Sequence, residues 1–217
     1  MRNLLFIFFL CSFTNVLWSQ DELKWQGVVE TIISEDHDFD AGKKGLIILT
    51  GSSSARMWQS FADVVPEYNS RNYGFGGSQM HELLFFLDKL VLQHKPDKVL
   101  IYEGDNDISA GKSSDQIIAT TKEVIKRIRA ELPETEIYLI SPKPSLARWE
   151  LADQYVELNR KMEEYCATTE NLTFIDVWNP MLNSDGRPIE DIFIEDGLHM
   201  NQKGYDIWEA AVAPLLK

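Results

Sequence analysis

Short apolar runs alternate along the chain with stretches of helical periodicity. The run Gly45-Leu46-Ile47-Ile48-Leu49 leads into Thr50. Leu46 to Thr50 has the continuous apolar character of a strand buried on both faces. A weaker strand is predicted near Tyr68 to Tyr73. In "GGSQMHELLFFLDKLVLQ", Met80, Leu83, Leu84, Leu87, Leu90 and Val91 fall on one helical stripe, with Ser78 placed to cap it. "DKVLIYEG" predicts a third strand over Lys98 to Glu103. "SSDQIIATTKEVIKRIRAELP" then reads as an amphipathic helix, with Ile117, Ile118, Thr121, Val124, Ile125, Ile128 and Leu132 on one face and Pro133 ending it. "EIYLIS" is strand four. Leu151 to Ala167 is helical through Leu151, Tyr155, Leu158 and Met162, and "LTFIDVW" is strand five. A helix over Gln202 to Leu216 follows. Ahead of the first strand, "DELKWQGVVETIISED" predicts an extra helix with Leu23, Trp25, Val28, Val29, Ile32 and Ile33 available for burial.

Strict alternation of strand and helix predicts a parallel sheet with helices on both faces. The fold class is therefore α/β, a three-layer α/β/α arrangement around a flavodoxin-like, five-stranded parallel sheet.

The first nineteen residues stand apart from this pattern. Arg2 precedes an apolar stretch from Leu4 to Leu17, shorter than the about 20 residues of a membrane span. Ser19 is a small residue at the position for cleavage before Gln20. The expected organisation is a signal peptide over 1–19 and a single domain over 20–217, the product being secreted or periplasmic. Retention as an uncleaved anchor is the other reading, because Leu17 and Trp18 are bulky near the cut. No second apolar span follows, so no stable membrane insertion of the mature chain is expected.

The formal charge of −13 becomes −14 once Arg2 leaves. That balance argues against nucleic acid and against docking on anionic lipid. Cys11 leaves with the signal, so Cys166 stands alone and reads as a small buried hydrophobe. Nothing in the sequence sets an oligomeric state.

Ligands in open parallel sheets bind outside the carboxyl ends of the strands. Gly51-Ser52-Ser53-Ser54 follows strand one, and "NYGFGGS", with Gly74, Gly76 and Gly77, follows strand two. "EGDND", Glu103 to Asp107, follows strand three and "SPKPSLARW" strand four. The loop after strand five ends in "EDGLHMNQKGY", with Asp196 and His199. A serine hydroxyl needs a base to take its proton. His199 is the only histidine that follows a strand end, and Asp196 can turn back to hold one imidazole nitrogen. An oxyanion needs preorganised donors. The Gly77 backbone and the Asn106 amide offer one each, and the N–H of a serine starting a helix offers a third.

The residues alone leave other readings open. Three serines after a strand could be a polar turn. "TGSSSA" could cradle a flavin phosphate in a flavodoxin-like protein. A non-catalytic sugar-binding module could use Trp58 and Trp149 as stacking surfaces. Asn106 could sit in an Asx turn. Glu103, Asp105 and Asp107 suggest a metal, but no histidine or cysteine stands at ligand spacing. Neither a metal nor a cofactor is expected.

"TGSSSARMW", "NYGFGGS", "EGDND" and "DGLHMNQKGY" resemble, in order, the sequence blocks of the SGNH (GDSL-type) hydrolases, over residues 50 to 205. "ISPKPSLARW" resembles a segment of a secreted branch of that family. The resemblance implies Ser53 as nucleophile, with Asp196 and His199 completing the triad. It implies an oxyanion hole of Gly77, Asn106 and the Ser53 N–H. Ser52 stands where many members have Asp, and Ser54 is placed to start or cap the next helix. The implied activity is that of a secreted serine ester hydrolase acting on a small-molecule or glycan ester. A short acyl group such as acetyl, on a carbohydrate, is the first expectation. A small-lipid acetylhydrolase or lysophospholipase is the alternative.

Overall fold

The computed structural model describes residues 23–35 and 39–216. The expected signal segment, 1–19, lies outside them. A turn of 3₁₀ helix over Leu23–Trp25 leads into α1 (Gln26–Ser34). There follow β1 (Leu46–Gly51), α2 (Ser53–Arg56), α3 (Phe61–Val64), β2 (Asn69–Gly74), α4 (Met80–Leu90) and β3 (Lys98–Tyr102). The chain continues through α5 (Asp105–Ser109), α6 (Ser114–Glu131), β4 (Glu136–Ile140), α7 (Ala152–Ala167), β5 (Leu172–Ile175) and α8 (Gln202–Leu216).

The five strands pair in parallel in the order β2-β1-β3-β4-β5. The chain steps from β1 to β2 on one side, then crosses to β3 on the other. Register sets Gly51 beside both Gly74 and Tyr102, so the carboxyl ends of β2, β1 and β3 are level at this switch point. That is where such a sheet opens a crevice for a ligand.

Alternate strand residues feed two cores. Ile48, Val99, Ile101, Ile137 and Leu139 meet Val29 of α1 and the apolar faces of α4, α6 and α7. Ile47, Leu49, Leu100, Tyr102, Tyr138 and Ile140 meet Phe61 of α3 and Tyr205, Trp208 and Val212 of α8. Burying a side chain of this size contributes about 1.5–3 kcal/mol. Ile117, Ile118, Thr121, Val124, Ile125 and Ile128 are buried as their spacing predicts, whereas Leu132, expected on the same face, lies just past the end of α6 and is half-buried. Ser113 closes the start of that helix, taking the Gln116 N–H on Oγ while its own N–H donates to Gln116 Oε1.

Three expectations are corrected. Ser78 does not cap α4. It is fully buried, and the helix starts from Gln79, whose N–H donates to Glu82 Oε2 at 2.9 Å. The N-terminal helix buries only Val29 completely, with Leu23 and Val28 exposed. Strand five stops at Ile175, because the Asp176 carboxylate takes the N–H groups of Trp178 and Asn179 and turns the chain.

Candidate active site

Residue 51 has to be glycine. Its φ is +124°, and a Cβ there would lie 2.0 Å from the Tyr102 carbonyl oxygen. The close approach lets Ser52 N–H donate to that same carbonyl at 3.0 Å, which turns β1 abruptly into α2. Ser53 is the first residue of α2, while Ser52 and Ser54 are buried. Ser54 starts no helix of its own; its carbonyl accepts the Tyr205 hydroxyl, which ties the turn to α8.

The loop 193–200 approaches from the far end of the sequence. Phe193 bridges Met200, and Ile194 N–H donates to the His199 carbonyl. Asp196 Oδ1 accepts the backbone N–H groups of Leu198 and His199, at 2.8 and 2.9 Å. Its Oδ2 lies 2.6 Å from His199 Nδ1, and His199 Nε2 lies 2.9 Å from Ser53 Oγ. Burial opposes ionisation of Asp196. The His199 ring and the two backbone donors outweigh it and hold the carboxyl at about 2. A carboxylate can only accept, so Nδ1 carries the ring proton and Nε2 is left to accept from the Ser53 hydroxyl. This arrangement can move a proton off a serine.

Gly77 and Asn106 adjoin. A Cβ on Gly77 would sit 3.7 Å from Asn106 Nδ2. Asn106 lies in the first turn of α5, launched by Gly104 at φ +112°. Its Nδ2 donates to the Ser78 carbonyl at 3.0 Å, leaving one amide hydrogen. Ser78 Oγ donates to Glu103 Oε1 at 2.5 Å. Burial first, then Asp107, push the Glu103 carboxyl well above its ordinary range and favour the neutral acid. The loops after β2 and β3 are thereby fastened to each other.

The acids around Asn106 have protein partners. Asp107 takes the Met80 N–H at the start of α4 and pairs with Lys112 at 3.0 Å. Asp105 is buried and accepts from Tyr155 at 2.5 Å, Arg148 at 2.5 Å and Tyr102 at 3.0 Å. Burial would raise its carboxyl, but the charges of Lys143 and Arg148 hold it below the usual range. Lys143 is fully buried. It lies 3.7 Å from Asp105 and donates to the Leu198 carbonyl at 2.6 Å, next to His199. Sequence reasoning gave no role to Lys143, Arg148 or Tyr155. The signal for the first two was a post-strand segment, "SPKPSLARW", carrying two cations beside a loop with three acids.

The aromatic residues singled out for sugar stacking are not open platforms. Trp58 is fully buried against Phe61, Tyr205 and Trp208. Trp149 stacks on Trp178 at 5.9 Å and carries Arg187 over its ring. Cys166 is buried, which pushes its thiol up to about 12. Among the described residues no helix is long and apolar enough to cross a membrane.

The chain is 23% identical over 196 residues to an N-acylneuraminate cytidylyltransferase of Escherichia coli O18:K1:H7, covering 89% of this chain. It spans 45% of that relative's length. It is 21% identical to the platelet-activating factor acetylhydrolase IB subunit alpha1 of Bos taurus, over 86% of this chain and 79% of the relative. A mutant acetylxylan esterase of Geobacillus stearothermophilus shares the fold with a TM-score of 0.66 at 18% identity, over 78% of this chain and 93% of that one. The model of the GDSL-like lipase/acylhydrolase family matches residues 45–207, from the start of β1 into α8. The chain belongs to the GDSL-like lipase/acylhydrolase family, which places it among the ester hydrolases.

Proposed function

We propose that the protein is an exported serine esterase that removes short acyl groups, acetyl first among them, from carbohydrate esters. The observation that carries the reading is the hydrogen-bonded chain from Ser53 through His199 to Asp196, with Gly77 and Asn106 adjoining each other after β2 and β3, the strands on either side of β1. Ser53 Oγ attacks the acyl carbon as its proton passes to His199 Nε2. The carbonyl oxygen becomes an oxyanion, held by the N–H groups of Ser53 and Gly77 and the free amide hydrogen of Asn106. Collapse breaks the ester C–O bond, and the leaving alcohol takes the proton from His199. Water then attacks the acyl-enzyme, gives a proton to His199, and the acid departs as Ser53 recovers it.

The acetyl preference is supported by two of the similar proteins, whose names specify acetyl esters. A flavin-phosphate cradle is disfavoured because Ser52 and Ser54 are buried and Ser53 is engaged by His199. One observation favours a small lipid as the alcohol component. An open cavity of about 630 Å³ lies between α1 and the segment after Ser53, lined by Val28, Ile32 and Phe61 together with Arg56, Glu35 and Asn72. Its apolar part suits an alkyl chain, while Glu35 and Arg56 oppose one another in charge and select no headgroup.

The test is hydrolysis of nitrophenyl esters of increasing acyl length, beside acetylated xylan and an acetylated ether phospholipid. Turnover falling steeply beyond the shortest acyl groups, with acetate released from the glycan, supports the reading. Hydrolysis of the phospholipid alone moves the substrate to lipid, and no turnover of any ester overturns the proposal.

A further inference from the structure

Asn106 has an amide that works only one way round. Its nitrogen end can stabilise an oxyanion, whereas its oxygen end would repel one. Two neighbours decide the orientation. The Ser78 carbonyl accepts from Nδ2 at 3.0 Å, and Arg148 Nη2 donates to Oδ1 at 3.1 Å. The other arm of the guanidinium, Nη1, donates to the Asp105 carbonyl at 3.2 Å and to Asp105 Oδ1 at 2.5 Å. Asp105 is in turn fixed by the hydroxyls of Tyr102 and Tyr155. Arg148 thus reaches Asn106 from a buried anchor, and its own side chain is only 18% exposed.

We propose that Arg148 is a positioning residue for the oxyanion hole, holding the carbonyl end of the Asn106 amide so that one Nδ2 hydrogen remains directed at the reacting oxygen. The inference rests on the serine-esterase reading above. An arginine is required because its planar fork serves two acceptors at once. A lysine in its place keeps the charge beside Asp105 but supplies a single ammonium, so it cannot hold both Asp105 and Asn106 in the same geometry. With Arg148 gone, only the Ser78 carbonyl orients the amide, and rotation about the last side-chain torsion turns Oδ1 towards the oxyanion.

The experiment compares Arg148→Lys, Arg148→Ala, Asn106→Ala and the double variant Arg148→Ala/Asn106→Ala on a nitrophenyl acetate, with melting temperature as a control for folding. Arg148→Lys is expected to lower kcat by about tenfold and Arg148→Ala by about 10–10², with KM within about twofold, both below the loss from removing the donor itself. The double variant should lose no more than Asn106→Ala alone, because the two residues act through one group. Additive losses, or a change confined to KM, overturn the proposal. A second readout needs no turnover. The Asn106 side-chain amide signals, identified by their disappearance in Asn106→Ala, should exchange with solvent faster in Arg148→Lys than in the unaltered protein. Equal exchange overturns the proposal even if no ester proves to be a substrate, and that failure of turnover would count against the esterase reading alone.

Discussion

His199 Nε2 stands 2.9 Å from Ser53 Oγ although 146 residues separate them in the chain. Neither partner is placed by local preference. Ser53 is set by the Gly51 turn against Tyr102, and His199 by the Asp196 turn and the Phe193–Met200 bridge. Both supports lie outside the pair, so the hydroxyl can be removed without dismantling either. Ser53→Ala should retain its melting temperature and lose about 10⁶ in kcat, the scale seen when a serine nucleophile of a triad is deleted. Ser54→Ala should keep activity within about tenfold, since Ser54 ties the turn to Tyr205 through its carbonyl. Ester turnover by Ser53→Ala at near-normal rate would remove Ser53 as nucleophile.

Asn106→Ala should cost about 10²–10³ in kcat with little change in KM, because an oxyanion donor acts on charge that develops only in the transition state. The fold should survive, as the loops after β2 and β3 stay joined by Ser78 and Glu103. Steady-state kinetics on a short nitrophenyl ester decides it. A rise in KM at constant kcat would make Asn106 a substrate contact instead.

The sheet and its helices were legible from periodicity because burial dictates them. The α6 stripe from Ile117 to Ile128 and the bounds of α8 match their predictions. The five residues singled out as the site are brought to one edge by β1, β2, β3 and the loop before α8, an order that the strand-end rule reads directly. The support beneath them was not legible. Arg148 binds Asn106 across 42 residues and Lys143 binds the Leu198 carbonyl across 55; two cations after a strand signal a charged cluster, but not which atom each one takes. Ser78 looked like a cap from its place before an apolar stripe, yet the capping group is Glu82 and the serine faces Glu103. A short polar side chain at a helix start has two geometries, and the tertiary acceptor chooses between them.

Glu103 predicts a pH dependence of stability. Its folded-state pKa is raised, by burial and then by Asp107. The native protein therefore keeps a proton that the unfolded chain releases above about 4.3. The resulting penalty is absent below that value, grows as pH rises past it, and levels off once the folded group itself ionises. Glu103→Gln removes the titration while its carbonyl can still accept from Ser78. Relative to the unaltered protein, its melting temperature should gain between about pH 4 and about pH 8. A difference that is the same at both pH values would show that Glu103 is not held as the neutral acid.

Asp196 has the opposite sign. Its folded carboxyl lies at about 2, below its ordinary value, so its contribution to the turn is fully present above about 3.9 and fades as pH falls towards about 2. Throughout the neutral range it is an anion. Asp196→Asn keeps an oxygen for the Leu198 and His199 N–H groups, so the turn should still form. What changes is the atom facing the ring. An amide nitrogen there donates to Nδ1, which moves the imidazole proton to Nε2 and leaves no acceptor for the Ser53 hydroxyl. The analogous change in another triad costs about 10⁴ in kcat, and a loss of that order is expected here, with the melting temperature near that of the unaltered protein. Asp191→Asn is the comparison. Asp191 pairs with Lys203 at 2.6 Å on the surface, and its replacement should leave kcat within about twofold. The ring nitrogens of His199, observed by NMR, check the cause: the proton should sit on Nδ1 in the unaltered protein and on Nε2 in Asp196→Asn. Retention of the Nδ1 proton with kcat intact would mean that another group orients His199.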